Sequence, residues 1–221
     1  MSLPALHYFP LRGRGEVIRL LLHVAGVEHD EHPMDYAAMK ADLAAYPFGQ
    51  CPRYVDADVD LVQSNTIMRY LAAKHGLMGS NAKQAAAIDM VMEGVESLRN
   101  KYLNLVYADR LSDEAKATYW TTHLDPSTLS ARNGGAHMGY LARLIKVSPT
   151  GWTAGTPELN AGDLQLFDIL DLHSRIFAEQ MKAQYPELMA YHDKIAEIPS
   201  VKAYLEGPRR QPQVNGIAGL G

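Results

Sequence analysis

Residues 48–65 read FGQCPRYVDADVDLVQSN, and the fold is decided in this stretch. Residues 53–55 and 59–62 read as two short strands, and Asp56-Ala57-Asp58 turns the chain between them into a hairpin. Cys51-Pro52 stands at the entrance to the first strand. A proline there removes a ladder donor, and X-Pro is the bond at which a cis peptide costs little. Gln63-Ser64-Asn65 follows the second strand and opens a helical pattern carried by Ile67, Met68 and Leu71. The first N–H groups of such a helix have no partner inside it and suit a carboxylate or a phosphate.

Toward the N-terminus, residues 3–9 form a predicted buried strand, and residues 10–13 a turn in which Gly13 and Gly15 give backbone freedom. A helix follows over 16–25, with Val17, Ile18, Leu21, Val24 and Ala25 at helical spacing and Gly26 as its stop. Residues 27–32 read as a second strand and 35–46 as a weakly amphipathic helix. A strand-helix-strand opening favours a parallel pair, and the hairpin adds an antiparallel one.

Toward the C-terminus, residues 76–80 make a domain boundary, beyond which no strand pattern occurs. Ile88, Met92, Val95, Tyr102 and Val106 predict a long helix over 82–108, in which Gly94 points to a close neighbour. Ser112 opens another helix, interrupted at Asp125-Pro126, and residues 136–147 are again helical. Leu159-Asn160-Ala161-Gly162-Asp163-Leu164 has the order of a capping box with an apolar staple, a fold-holding rather than a chemical signal. Helices over 185–198 and 200–206 close the bundle, and an irregular tail begins at Gly207. The expected organisation is an α/β domain over 1–78 and an all-α domain over 82–221.

The chain has 221 residues, 47% of them hydrophobic, a formal net charge of −4 and one cysteine, Cys51. Its apolar runs are far too short to span a bilayer, and no secretory signal is visible. The acidic balance gives no reason to expect nucleic acid, and a single cysteine excludes an intrachain disulfide. The nine histidines have no metal-ligand spacing, and no P-loop, G-x-S-x-G or dinucleotide fingerprint occurs. A soluble, cytoplasmic protein without a metal is expected.

The order apolar-Gln-Cys-Pro, hairpin, Gln-Ser-Asn-Thr-Ile-Met-Arg-Tyr-Leu resembles the second half of the thioredoxin-like domain of cytosolic glutathione transferases. Tyr8-Phe9-Pro10-Leu11-Arg12-Gly13-Arg14-Gly15 resembles that family's first strand and helix start, and residues 94–102 extend the likeness. Val214-Asn215-Gly216 points to the pi class, with sigma as its neighbour. The resemblance implies a thioredoxin-like N-terminal domain, a helical C-terminal domain and conjugation of glutathione, the co-substrate, to small hydrophobic electrophiles. A non-catalytic binder, or a glutathione-dependent isomerase or peroxidase, are the alternatives.

By that resemblance Tyr8 is the catalytic residue, its hydroxyl donating to the sulfur of glutathione, with Arg14 adding positive potential. A free thiol titrates near pH 8.5, so lowering it by about two units needs roughly 2.7 kcal/mol. One charge-assisted hydrogen bond supplies about 1.5–3 kcal/mol. Gln63 and Ser64 are implied for the γ-glutamyl end, and Gln50 and the backbone of Cys51, shaped by Pro52, for the cysteinyl part. Lys40 and Tyr36 are the candidates for the glycyl carboxylate. Phe9, Leu11, Tyr107, Asn215 and Gly216 are implied as electrophile contacts, and Phe48 as the aromatic key of a symmetric homodimer. Ser97, contributed by the partner subunit, stands where pi and sigma members carry Asp, which predicts weaker glutathione binding.

Overall fold

The computed structural model describes residues 2–217. They fall into two compact units: the residues up to Leu77 together with Ile198–Gly216, and Met78–Glu197 together with Ile217.

In the first unit the chain runs β1 (Ala5–Tyr8), a 3-10 turn (Gly13–Gly15), α1 (Glu16–Val24), β2 (Asp30–Pro33), α2 (Tyr36–Ala41), β3 (Arg53–Val55), β4 (Asp60–Val62) and α3 (Ser64–Lys74). The sheet order is β2-β1-β3-β4, with β1 parallel to β2 and antiparallel to β3. Leu6 and Tyr54 face each other across β1 and β3 and are sealed from solvent, beside Ile18, Leu21, Ile67 and Leu71 of α1 and α3. Helix α1 ends as Gly26 predicts: Gly26 has φ +67°, Val27 N–H donates to Leu22 O at 2.8 Å and Gly26 N–H to His23 O at 3.1 Å. The second strand begins at Asp30 rather than 27, and α2 stops at Ala41, well short of Tyr46. Only Met39 of α2 is buried, so little apolar surface supports a longer helix.

The hairpin turn is a polar knot. The Asp56 carboxylate accepts from Asp58 N–H at 2.9 Å and Val59 N–H at 3.0 Å, then from the Tyr70 hydroxyl at 2.9 Å and Lys74 Nζ at 3.0 Å on α3. Burial pushes this carboxyl up, but those donors overcome it and hold it at about 2. The turn thus fixes both the hairpin and the helix that follows it.

The second unit is helical: α4 (Ala82–Tyr107), α5 (Asp113–Tyr119), α6 (Met138–Lys146), α7 (Ala161–Ile176), α8 (Ala178–Gln184) and α9 (Pro186–Ala196). Helix α5 continues as a π turn over Trp120–Leu124 and breaks at Asp125-Pro126. Helix α7 is nearly all buried and packs on α4, where Arg99 Nη2 meets Asp168 Oδ2 at 2.6 Å out of solvent. Among the described residues no unusually close neighbour stands at Gly94: a Cβ there would meet Leu141 Cδ2 at an ordinary 3.9 Å.

The capping box is complete. Asn160 Oδ1 accepts from Gly162 N–H at 2.8 Å, and Asp163 Oδ2 accepts from Asn160 N–H at 2.8 Å. Asp163 Oδ1 accepts from Thr153 N–H at 2.7 Å and from the Tyr191 hydroxyl.

The last helix, α10 (Pro199–Glu206), leaves the helical unit and packs on α1. The Tyr204 hydroxyl donates to Glu16 Oε2 at 2.8 Å, and Arg210 Nε to Glu16 Oε1 at 3.1 Å. Arg12 and Gly13 N–H then donate to Gln213 O and Val214 O at 2.8 and 3.0 Å. Residues 198–216, read from sequence as part of the helical domain, are therefore held by α1 and by the turn after β1.

Candidate active site

Tyr8 ends β1 with its ring buried, and its hydroxyl oxygen accepts a hydrogen bond from Arg14 N–H at 2.9 Å. The two glycines beside it make room for that ring. A Cβ on Gly13 would lie 2.6 Å from Tyr8 Oη, and one on Gly15 2.6 Å from Tyr8 Cδ1. Backbone freedom explains Gly13, whose φ is +42°; close approach to the phenol explains both. The guanidinium of Arg14 reaches Ser64 Oγ at 3.4 Å, so the turn that donates to Tyr8 also contacts the start of α3.

At that start, Gln63 has φ +73° and ψ 112°, a left-handed conformation rare for a residue with a side chain. Holding it costs on the order of 1–3 kcal/mol, and such residues cluster at ligand sites. It turns Gln63 outward, where Nε2 donates to Gln50 Oε1 at 3.3 Å, and leaves Ser64 buried as the first residue of α3. The Cys51-Pro52 bond is cis. Burial raises the Cys51 thiol to about 11, so at neutral pH it is a protonated thiol and a poor nucleophile. Lys40 Nζ lies 5.4 Å from the Tyr36 ring centroid and beside Gly49, where a Cβ would come within 3.3 Å of it. Phe48 is 65% exposed.

Leu11 is buried and Phe9 half-buried, with the rings of Tyr8 and Phe9 5.7 Å apart. Val214 and Asn215 are buried against the same turn, while Gly216 is exposed. The first unit thus brings Tyr8, Arg14, Ser64, Gln63 and Gln50 into one chain of contacts, and sets Lys40 with Tyr36 beside Gly49. Tyr107 and Ser97 belong to α4 of the helical unit and are both exposed. Ser97 Oγ donates to Glu93 O of its own helix at 3.0 Å.

Sequence reading misses three features: the contact role of Gly13 and Gly15, the backbone of Gln63, and Arg19, a sealed cation in the apolar run Val17-Ile18-Arg19-Leu20-Leu21-Leu22. A charge inside such a run is the one available signal, since buried arginines need partners. Among the described residues no cluster of three His, Cys, Asp or Glu could hold a metal ion, and no helix is long and apolar enough to cross a membrane.

Residues 4–73 match the model for the glutathione S-transferase N-terminal domain, and residues 96–208 that for the glutathione S-transferase C-terminal domain. Glutathione S-transferase P 1 of Xenopus laevis is 34% identical over 211 residues, spanning 93% of this chain and 92% of the relative. Glutathione S-transferase P of Caenorhabditis elegans is 34% identical over 217 residues, 96% of each chain. The pi-class glutathione S-transferase of Onchocerca volvulus superimposes with a TM-score of 0.76 at 28% identity, over 93% of each chain. With both halves matched in order and nearly end to end, the chain belongs to the glutathione S-transferase family.

Proposed function

We propose that this chain is a pi-type glutathione transferase, ionising the thiol of glutathione and joining its sulfur to small hydrophobic electrophiles. The observation that carries the reading is the hydrogen bond from Arg14 N–H to the Tyr8 oxygen at 2.9 Å. Accepting it uses a lone pair rather than the hydroxyl proton, and it polarises the O–H into a stronger donor. Donation to a thiolate favours the charged form of the sulfur. The energy required, about 2.7 kcal/mol for two units, is within reach of one such bond. The thiol proton leaves to solvent, and the sulfur lone pair then forms the new bond to a carbon of the electrophile, while the leaving group departs with its bonding pair or, in an activated alkene, the π pair moves to the neighbouring carbon and takes a proton from solvent.

In this reading Gln63 and Ser64 receive the γ-glutamyl end at the start of α3, where helix N–H groups favour a carboxylate. The backbone of Cys51, set by cis Pro52, pairs with the cysteinyl part, and Gln50 steadies Gln63. Lys40 and Tyr36 take the glycyl carboxylate, a role supported by the position of Lys40 beside Gly49. Phe9, Leu11, Asn215 and Gly216 contact the electrophile. The working form is a cytoplasmic homodimer, with the exposed Phe48 as key and Ser97 reaching the partner's glutathione.

Tyr8→Phe tests the reading. It should lower kcat for a chromogenic electrophile about 100-fold while the Kd of glutathione moves less than about threefold. Unchanged turnover would remove Tyr8 from the chemistry.

A further inference from the structure

Arg19 lies on α1, outside the chain of contacts just described, and is 1% exposed. Its fork is used in two directions. Toward β2, Nε and Nη2 donate to the Glu31 carboxylate at 2.8 and 3.0 Å. Toward the turn after β1, Nη1 donates to Leu11 O at 2.8 Å and Nη2 to Phe9 O at 3.4 Å. Its guanidinium carbon lies 5.7 Å from the centroid of the Tyr8 ring. His29 Nε2 lies 3.2 Å from Glu31 Oε1 and completes the anchor.

Sealing a guanidinium from water is costly unless it is paired, and an apolar side chain would pack an α1 core position at lower cost. What an apolar residue could not do is bind two carbonyls of one turn from a fixed plane. Those carbonyls belong to Phe9 and Leu11, which bracket Pro10 immediately after Tyr8. The turn they shape delivers Arg14 N–H to the Tyr8 oxygen.

We infer that Arg19 is a positioning residue: through Phe9 O, Leu11 O and the Tyr8 ring it fixes where the Tyr8 hydroxyl points, and so how much bound glutathione is thiolate. The inference rests on the reading of Tyr8 given above. Arg19 does not touch the reacting atoms. Its effect is geometric, and a displacement of about 1 Å at such a donor is enough to cost a large factor in rate.

The test compares wild type, Arg19→Lys and Glu31→Gln as full-length proteins. Ultraviolet absorbance of the bound thiolate is titrated against pH, kcat and the KM for glutathione are measured, and thermal unfolding is followed. Lysine keeps the charge and loses the fork. It should raise the apparent pKa of the bound thiol by about one unit and lower kcat about tenfold below that pKa, with KM within about threefold. Glu31→Gln should shift both in the same direction by less, because Arg19 keeps its carbonyl bonds and loses only its charged anchor. Folded variants with a lower melting temperature but wild-type thiolate titration and kcat would make Arg19 purely structural and overturn the inference. If the lysine variant does not fold, an unchanged titration in Glu31→Gln overturns it equally. A wild type that fails to shift the thiol would instead overturn the proposed function itself.

Discussion

Two polar clusters in this molecule use similar residue types to opposite ends. Around Asn160 and Asp163, donors and acceptors consume one another. Both Asp163 oxygens are occupied, and Asn160 bonds Thr153 O at 3.0 Å and Thr156 Oγ1 at 2.8 Å through Nδ2. Around Tyr8, the chain instead uses a positive-φ glutamine, two glycines that admit a ring, and a helix start to hold groups in place. A cluster closed on itself holds a fold, whereas groups held by constrained backbone hold a site.

The sharpest way to separate the two is to remove one group from each. Asp163→Ala strands the N–H groups of Thr153 and Asn160 and the Tyr191 hydroxyl in the core, each costing about 1–3 kcal/mol. We expect a loss of about 3–5 kcal/mol, seen as a melting temperature roughly 10 °C lower, with little change in the KM for glutathione of the protein that remains folded. Gly15→Ala should do the reverse. Its methyl would sit 2.6 Å from Tyr8 Cδ1, so the ring must move. A fall in kcat of about 100-fold with a loss of stability under about 2 kcal/mol is expected from steady-state kinetics and urea unfolding. Equal damage to stability from both substitutions would erase the contrast.

Asp56 is an intermediate case, a closed cluster at the surface. Its carboxyl titrates at about 2 in the folded protein, below the ordinary range near 4. A depressed carboxyl contributes stability that is present above its unfolded pKa and is lost as pH falls through the folded one. The window is therefore about pH 4 down to 2. We expect about 1–2 kcal/mol, discounted because Lys74 is 36% exposed and its charge is screened. Unfolding free energies of wild type and Asp56→Asn at pH 5 and pH 2.5 give the difference. A gap between them that is the same at both pH values would detach the turn from acid stability.

What could be read in the sequence divides along the same line. The capping box is legible because Asn160 and Asp163 are three residues apart and each bonds the other's backbone N–H. The hairpin, α3 and the long α4 were legible because periodicity is local too. Gln63 was legible by type and not by conformation, since nothing in a glutamine announces a positive φ. Gly13 and Gly15 could be seen to matter, but the reason is a phenol that only the fold brings against them. The place of residues 198–216 was hidden, because their anchor Glu16 lies 188 residues before Tyr204. Arg19 was hidden likewise, its carboxylate partner being on β2 and its carbonyls in the turn after β1. Helix α2 is shorter than its pattern predicts because weak amphipathicity counts as pattern even where little of it is buried.

Ser97 gives the smallest effect and the finest test of the contrast. Its hydroxyl proton is spent inside its own helix, donating to Glu93 O at 3.0 Å, and only the lone pairs of the oxygen remain to meet a ligand. Glu96 is not a ready substitute. One residue earlier on a helix points about 100° away, and its carboxylate lies 4.0 Å from Arg99 Nε. Ser97→Asp would supply an anion that cannot donate to Glu93 O and must turn to solvent or to a bound amine. If Ser97 reaches the glutathione of the partner subunit, calorimetry should give a Kd about three- to tenfold lower, up to about 1.4 kcal/mol. The same change sets a carboxylate four residues from Glu93, costing about 0.2–0.5 kcal/mol of helix stability. Tighter glutathione with a slightly weaker fold would mean that this position can be converted from closed to open by one side chain. Unchanged affinity would mean that α4 contributes nothing to the ligand here.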